Sequence, residues 1–361
     1  GHVLCPGGVQ HLQADSGAVG VRLTLSRSVQ RAAEAVAAQT MTTGCILVLD
    51  VRTAALRACV SVPGFDPADP AASLEAPDSP FLNRALQAYA VGSVFKPVLA
   101  AAALEAGLAP EYDCNGAVVV DGQIFRCAGG VPHGEVDLSA ALAKSCNGYF
   151  IRLGQQLGAQ ALLQQAQALG FGRSIGLAEG LIAQSGALPG AEELAQSGQL
   201  ANFSFGQGSL LATPLQVAAM MNTIAGGGTY HTPRFCYGVT DADGTLTDPF
   251  QLPAPRIVCD AATAKTLRSM LQSVVEDGIG HAAKPAGGTA AGKTGTAQTG
   301  QFDAAGDELL NYWFSGFTPA QTPKYTITVL QDGVLEPETS SAALFAKIAE
   351  GLQVIEQPAS D

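Results

Sequence analysis

Ser93-Val94-Phe95-Lys96 sets a hydroxyl and an amine one helical turn apart, so the two side chains meet on one face if the segment is helical. A serine hydroxyl is a poor nucleophile until a base takes its proton. A lysine does that at neutral pH only when burial and a second cation depress its pKa. Lys293, in Lys293-Thr294-Gly295, is the natural second cation. Between the two stands Ser145-Cys146-Asn147, where Ser145 is placed to relay a proton to a leaving amine. Asn147 offers both donor and acceptor, suited to holding Lys96 and a substrate amide together, while Cys146 is expected to face the core. Nucleophile, base, relay and second cation together describe serine acyl transfer.

The Lys293 segment reads as a strand. With regular pleating Lys293 and Gly295 point one way and Thr294 and Thr296 the other. Gly295 leaves room for a peptide to pair alongside, and the Thr294 and Thr296 hydroxyls are suited to a terminal carboxylate. Backbone N–H groups of Ser93 and Thr296 are the candidates for an oxyanion hole. His133, His231 and His281 lie near glycine-rich turns and read as hydrogen-bonded structural residues rather than as parts of a rival triad.

These residues need a scaffold, and the hydrophobic pattern supplies one. Ser28 to Thr40 reads as a helix with Val29, Ala33, Val36 and Ala37 on one stripe. Cys45 to Asp50 and Leu56 to Ser61 read as a hairpin buried on both faces. From Leu82 to Gly228 the pattern is mostly helical, and the start at Thr213 is explicit: Thr213 as N-cap, Pro214 at the first helical position and Gln216 completing a capping box. Ser93 is expected at the start of a helix running through Leu104, because Pro97 is tolerated only in the first turn. Ala291 to Gln298, Tyr312 to Phe317 and Tyr325 to Gln331 are strands, and Ser340 to about Leu352 is a closing helix. Strands from both parts of the chain must share a sheet. The fold class that follows is α+β, a five-stranded antiparallel sheet flanked by helices and joined to a mainly helical lobe.

At 361 residues and 47% hydrophobic content the chain buries a full core. A net charge of −12, from 19 Lys and Arg against 31 Asp and Glu, argues against a nucleic-acid partner. The longest apolar stretch, Ala88 to Pro110, is interrupted by Gly92, Lys96, Pro97, Glu105 and Gly107 and is no bilayer span. Gly1-His2 reads as the start of a processed or engineered chain. Eight cysteines, at 5, 45, 59, 114, 127, 146, 236 and 259, show no C-x-x-C pair and no matching histidine cluster, which argues against a metal site and against any cofactor held through cysteine. Asp121-Gly122 marks a hairpin turn whose register makes Cys114 and Cys127 diagonal cross-strand neighbours, leaving a disulfide and two buried thiols as equal alternatives.

The three motifs in this order resemble the signature of penicillin-binding proteins and class A β-lactamases, with the middle motif departing from it in having Cys146 where that signature has Asp. From about Val21 to Leu352 the chain resembles the transpeptidase domain of class B penicillin-binding proteins. The phrases that carry this are Leu23-Thr24-Leu25, Asn83-Arg84-Ala85 with Tyr89, His133-Gly134, Ser204-Phe205-Gly206-Gln207-Gly208, Thr213-Pro214-Leu215-Gln216, Lys293 to Gln298, and Trp313-Phe314-Ser315-Gly316-Phe317. Departures fall in loops: Ala90-Val91 where Pro often precedes Gly-Ser, and Ile175 to Glu179 without an expected proline.

The resemblance implies that Ser93 is acylated by the D-Ala-D-Ala end of a peptidoglycan stem peptide, that a neighbouring stem amine takes the acyl group, and that β-lactams acylate the same serine. It also implies a place on the extracytoplasmic face of the bacterial cytoplasmic membrane, with an anchor helix and pedestal domain that this chain lacks, and a membrane glycosyltransferase as partner. Residues 1–20 then read as a remnant of the preceding region, 21–355 as the transpeptidase domain and 356–361 as a tail. Rival readings are a serine β-lactamase, with Glu179, Glu192 or Glu193 as the base for water, a D,D-carboxypeptidase, and a sensor that binds β-lactam without turnover.

Overall fold

The structure is a computed structural model describing residues 2–5, 8–11, 20–178 and 180–356. Glu179, and much of the segment 1–20 and of the tail 356–361, lie outside these residues.

Five antiparallel strands form the frame: β1 (Gly44–Asp50), β2 (Leu56–Val62), β3 (Ala291–Phe302), β4 (Glu308–Thr318) and β5 (Tyr325–Val334), in the spatial order β3-β4-β5-β1-β2. Early and late segments meet along β1 and β5, from Asp50 opposite Tyr325 to Cys45 opposite Leu330. The β1–β2 turn forms where expected. Asp50 Oδ1 accepts from the Thr53 backbone N–H at 2.9 Å and the Thr53 hydroxyl at 2.7 Å, and Ala54 takes the left-handed conformation, φ +52°.

Alternation along the strands feeds two cores. Cys45, Leu47, Leu49, Trp313, Phe317 and Leu330 face the larger one, shared with the helical lobe. Ile46, Val48, Phe314, Ile327 and Val329 face the smaller one, closed by Val29, Ala33 and Val36 of the helix Arg27–Thr40 and by Leu344, Phe345 and Ile348 of the helix Ser341–Glu356. Phe314 and Phe345 meet there with ring centroids 4.8 Å apart at 60°, the edge-to-face packing that aromatic quadrupoles favour. The run Cys45 to Leu49 is continuously apolar because it is covered on both sides.

The lobe is built around the helix Lys96–Glu105, apolar on almost every side and therefore buried through eight of its ten residues. Thr213 caps the helix Pro214–Ala225 with both halves of the capping box in place. The lobe is less purely helical than its pattern predicts. Tyr112–Cys114 pairs with Gly134–Val136, and Ile175–Ala178 with Leu181–Ala183. The strands β3 and β4 also run past their apolar cores as a paired ribbon, Phe302 opposite Glu308, which strand length read from hydrophobicity misses.

Candidate active site

Ser93 lies in a 3₁₀ turn, Gly92–Phe95, that runs directly into the helix Lys96–Glu105; the Lys96 N–H donates to the Ser93 carbonyl and Pro97 falls in the first helical turn. Other backbone presses on this turn from two sides. Gly92, φ +65°, donates its N–H to the Gly206 carbonyl at 2.8 Å. A Cβ on Gly206 would stand 2.0 Å from the Gly92 oxygen, and one on Gly92 would stand 2.4 Å from the Thr296 oxygen. Only glycine allows such approach, which accounts for Gly206 within the Ser204-to-Gly208 phrase. Gly295 has the same role on the sheet face: its missing Cβ would meet Val94 N at 3.0 Å and Val91 O at 3.1 Å, so glycine lets the Ser93 turn pack against the strand.

Ser145 sits at the break between the helices Leu138–Ala143 and Asn147–Leu157, at φ +54°. Asp137 Oδ1 caps the first helix by accepting from Ala140 N at 2.7 Å, and Cys146 Sγ caps the second by accepting from Tyr149 N at 3.4 Å, with Cys146 fully buried as expected. The left-handed turn aims Ser145 and Asn147 at the lysines. Lys96 Nζ donates to the Ser145 carbonyl at 2.8 Å, Ser145 Oγ at 3.0 Å and Asn147 Oδ1 at 2.7 Å. Asn147 is held in that sense by its amide, which donates to the Arg126 carbonyl at 2.8 Å. Lys293 Nζ, arriving from β3, donates to the same Ser145 Oγ at 3.0 Å, and to Thr294 O and Oγ1 at 3.2 and 3.3 Å.

Both lysines are fully buried. Burial lowers the Lys96 pKa to about 7, against a smaller upward pull from the Cys146 and Cys127 sulfurs, and its ammonium lies 5.5 Å from the Phe150 ring centroid. Lys293 is held well below the usual lysine range by burial first and by the Lys96 charge second. The coupling expected between the two cations is thus present, but burial governs the Lys96 shift and the charge effect is felt by Lys293. Here a base competent near neutrality stands one turn from a hydroxyl.

Ser93, Ser145, Asn147, Thr294, Gly295 and Thr296 line one cleft of about 350 Å³. Arg126, Lys144, Phe205, Gln207, Ile279 and His133 are among the residues of its other walls. Phe205 and Gln207 belong to a phrase the sequence shows; Arg126, Lys144 and Ile279 carry no type or spacing that marks them in advance. Glu192 and Glu193 do not line the cleft, and Glu193 instead accepts from the Ser209 hydroxyl at 2.7 Å.

The hairpin at Asp121-Gly122 forms over Ala117–Val120 and Gln123–Arg126, but Cys114 is not on it. That residue lies in the strand Tyr112–Cys114, opposite Gly134. Cys114 and Cys127 are free thiols with sulfurs 3.7 Å apart, and Cys146 and His133 converge on the same point. Cysteines scattered along the chain with no partner histidine in sequence are therefore clustered with one in space.

A serine with a buried lysine one turn on, an asparagine that accepts from that lysine, a second serine bridging it to another buried lysine on an edge strand, and a sheet with helices on both faces define the lysine-activated serine acyltransferase class. The chain belongs to the penicillin-binding protein transpeptidase-domain family, whose model matches residues 44–350. Stage V sporulation protein D of Bacillus subtilis is 33% identical over 283 residues, 75% of this chain and 42% of that protein. Peptidoglycan D,D-transpeptidase PbpA of Mycolicibacterium smegmatis is 31% identical over 326 residues, 84% of this chain and 65% of that protein. The chain thus spans less than two thirds of either relative's length. Among solved structures, a ceftriaxone acyl-enzyme complex of penicillin-binding protein A from Mycobacterium tuberculosis superposes with a TM-score of 0.81 at 28% identity, covering 93% of this chain and 80% of that one. The D,D-transpeptidase domain of a peptidoglycan glycosyltransferase from Eggerthella lenta gives a TM-score of 0.82 at 27% identity, covering 93% and 83%. Among the described residues no helix is long and apolar enough to cross a membrane.

Proposed function

We propose that residues 21–355 form a peptidoglycan D,D-transpeptidase domain working through a Ser93 acyl-enzyme. The observation that carries this reading is the convergence of Lys96 and Lys293 on Ser145 Oγ within hydrogen-bonding distance, with Asn147 Oδ1 accepting from Lys96, beside the Ser93 turn. In the first half-reaction the Ser93 hydroxyl adds to the carbonyl of a D-Ala-D-Ala terminus while neutral Lys96 takes its proton. Ser93 and Thr296 N–H groups hold the oxyanion, and the Ser93 N–H, in the first turn of its helix, has no intrahelical partner. Collapse breaks the peptide bond, and Ser145 passes a proton to the departing D-Ala amine. In the second half-reaction a stem-peptide amine attacks the ester, loses its proton along the same path and frees Ser93.

Lys293, Thr294 and Thr296 recognise the terminal carboxylate in this reading, and a β-lactam enters as a mimic of the donor. Two names among the relatives bear on substrate and inhibitor: a D,D-transpeptidase in the mycobacterial PbpA, and a ceftriaxone acyl-enzyme in penicillin-binding protein A. The corresponding workplace is the extracytoplasmic side of the bacterial membrane, with a glycosyltransferase supplying the glycan strands.

Intact-protein mass spectrometry after penicillin treatment, with peptide mapping and a chase, tests the proposal. A long-lived adduct on Ser93, absent from Ser93→Ala, is the expected result, together with transfer of the acyl group to an added amine from a D-Ala-D-Ala donor. Rapid release of hydrolysed drug would mark a β-lactamase, hydrolysis of the donor without transfer a carboxypeptidase, and an adduct without any turnover of donor a sensor.

A further inference from the structure

We propose that Arg126 and Lys144 form an anion subsite on the lobe wall of the cleft, which takes a carboxylate on the side chain of the stem residue preceding D-Ala-D-Ala. The inference rests on the transpeptidase reading and deepens it. It names the stem the domain prefers, one whose diamino residue keeps a free carboxylate rather than a neutral or amidated group.

The cleft holds more positive charge than one terminal carboxylate uses. Lys293 is fully buried and turned to Ser145 and Thr294, on the β3 side where Thr294 and Thr296 offer their hydroxyls to the substrate's C-terminus. From the lobe, Arg126 and Lys144 line the same cleft, both exposed and neither ion-paired among the described residues. No Asp or Glu is among the described residues that line it. In a chain of net charge −12, two cations without an acid around one cleft mark a place for an anion.

The elements hold both side chains to the cleft. Strand alternation buries Phe125, which meets Phe205 edge-on with ring centroids 6.2 Å apart, and so turns Arg126 outward. The Arg126 carbonyl accepts from the Asn147 amide at 2.8 Å. Asn147 is the group suited to a substrate amide, so Arg126 borders the bond that joins D-Ala-D-Ala to the rest of the stem. Its planar fork matches a carboxylate two bonds at a time. Lys144 follows the helix Leu138–Ala143 immediately before Ser145 and donates from Nζ to the His133 carbonyl at 3.0 Å. An ammonium has three protons, so two remain for a ligand.

The test uses two penicillins that differ only at the end of the acyl side chain, carboxylate against carboxamide, since that side chain takes the place of the preceding residue. Second-order rates of Ser93 acylation are read by mass spectrometry on the full chain. The carboxylate should react about three- to tenfold faster despite the acidic protein, and the preference should shrink toward parity between about 0.05 and 0.5 M salt. Arg126→Gln and Lys144→Gln keep the backbone carbonyl that holds Asn147, and each should reduce the preference. A purely structural role would slow both drugs alike and leave it. The parent's preference and its salt dependence need no variant, so they stand even if both variants fail to fold. Equal rates or a faster carboxamide in the parent, or the parental preference kept in both folded variants, would overturn the proposal while Ser93 still labels. No adduct with either drug would remove the transpeptidase reading and this inference with it.

Discussion

Lys96 and Lys293, both fully buried, donate to the same atom, Ser145 Oγ, each at 3.0 Å. Two ammonium groups sharing one acceptor away from water repel each other, and the arrangement is comfortable only when one of them gives up its proton. Burial holds both below the ordinary lysine range, and Lys96, at about 7, has the value that a base working near neutrality needs.

Acylation of Ser93 should therefore follow the neutral form of Lys96. Its rate should fall about tenfold per pH unit below about 7 and level off above. Labelling rates with a penicillin at constant ionic strength would show this, and a profile flat down to about pH 5 would remove Lys96 as the base. Stability carries the same signature. The unfolded chain keeps this proton up to the ordinary lysine range and the folded chain loses it at about 7, so unfolding takes up a proton in that window. The Lys96 contribution thus becomes more favourable as pH rises from about 7, and the full cost of the buried charge is present below it.

Ser145→Ala should leave the fold intact, because Lys96 keeps the Ser145 carbonyl and Asn147 Oδ1. Loss of the shared hydroxyl should slow acylation by about 10²–10⁴-fold, the range typical of a proton-transfer group. Stopped-flow or mass-spectrometric labelling rates check it; an unchanged rate would leave Ser145 a structural residue.

Gly206→Ala separates crowding from backbone strain. The new Cβ would stand 2.0 Å from the Gly92 oxygen at φ +86°, displacing the nucleophile turn, so a loss of about 1–3 kcal/mol and acylation slowed by about 10²-fold are expected. Gly122→Ala is the control. It has a similar φ, +80°, with nothing within 4 Å, and should cost some stability while leaving labelling unchanged. Equal labelling rates in the two variants would contradict the role given to the Gly92–Gly206 contact.

Phe345→Ala acts on the opposite face of the sheet. Truncating a fully buried ring packed edge-to-face on Phe314 should cost about 3–5 kcal/mol in denaturant unfolding. Folded protein should label at the parental rate, since the cleft lies across the sheet; a large change in that rate would mean the two cores are coupled.

Much of this was legible in the residues themselves. Strand alternation, the Thr213–Gln216 capping box and the stripe Val29, Ala33, Val36 and Ala37 are local signals that tertiary structure did not override. The functional motifs were legible for the same reason: Ser93 and Lys96 are one turn apart. What sequence spacing cannot carry is packing between remote segments. The space over Gly295 is taken by Val91 and Val94, and nothing near Gly295 in sequence says so. Likewise Cys114, Cys127, His133 and Cys146 follow no metal-binding spacing, because a strand pair, a hairpin and a helix cap bring them together. The hairpin reading placed Cys114 on the wrong strand because Tyr112–Cys114 pairs with a segment beyond the hairpin.

The pairing of β1 with β5 has a consequence for how the chain acquires its shape. Asp50 must find Tyr325, so the middle of the sheet cannot zip until nearly the whole domain has been synthesised. Until then β1 holds one unpaired edge and two greasy faces, the combination that invites neighbouring nascent chains to pair in its place. Contacts this distant in sequence also fold slowly. Recovery of this domain from the cell is accordingly a contest between late closure and early aggregation, and growth conditions or chaperones that shield the Gly44–Val62 hairpin act at the step where it is decided.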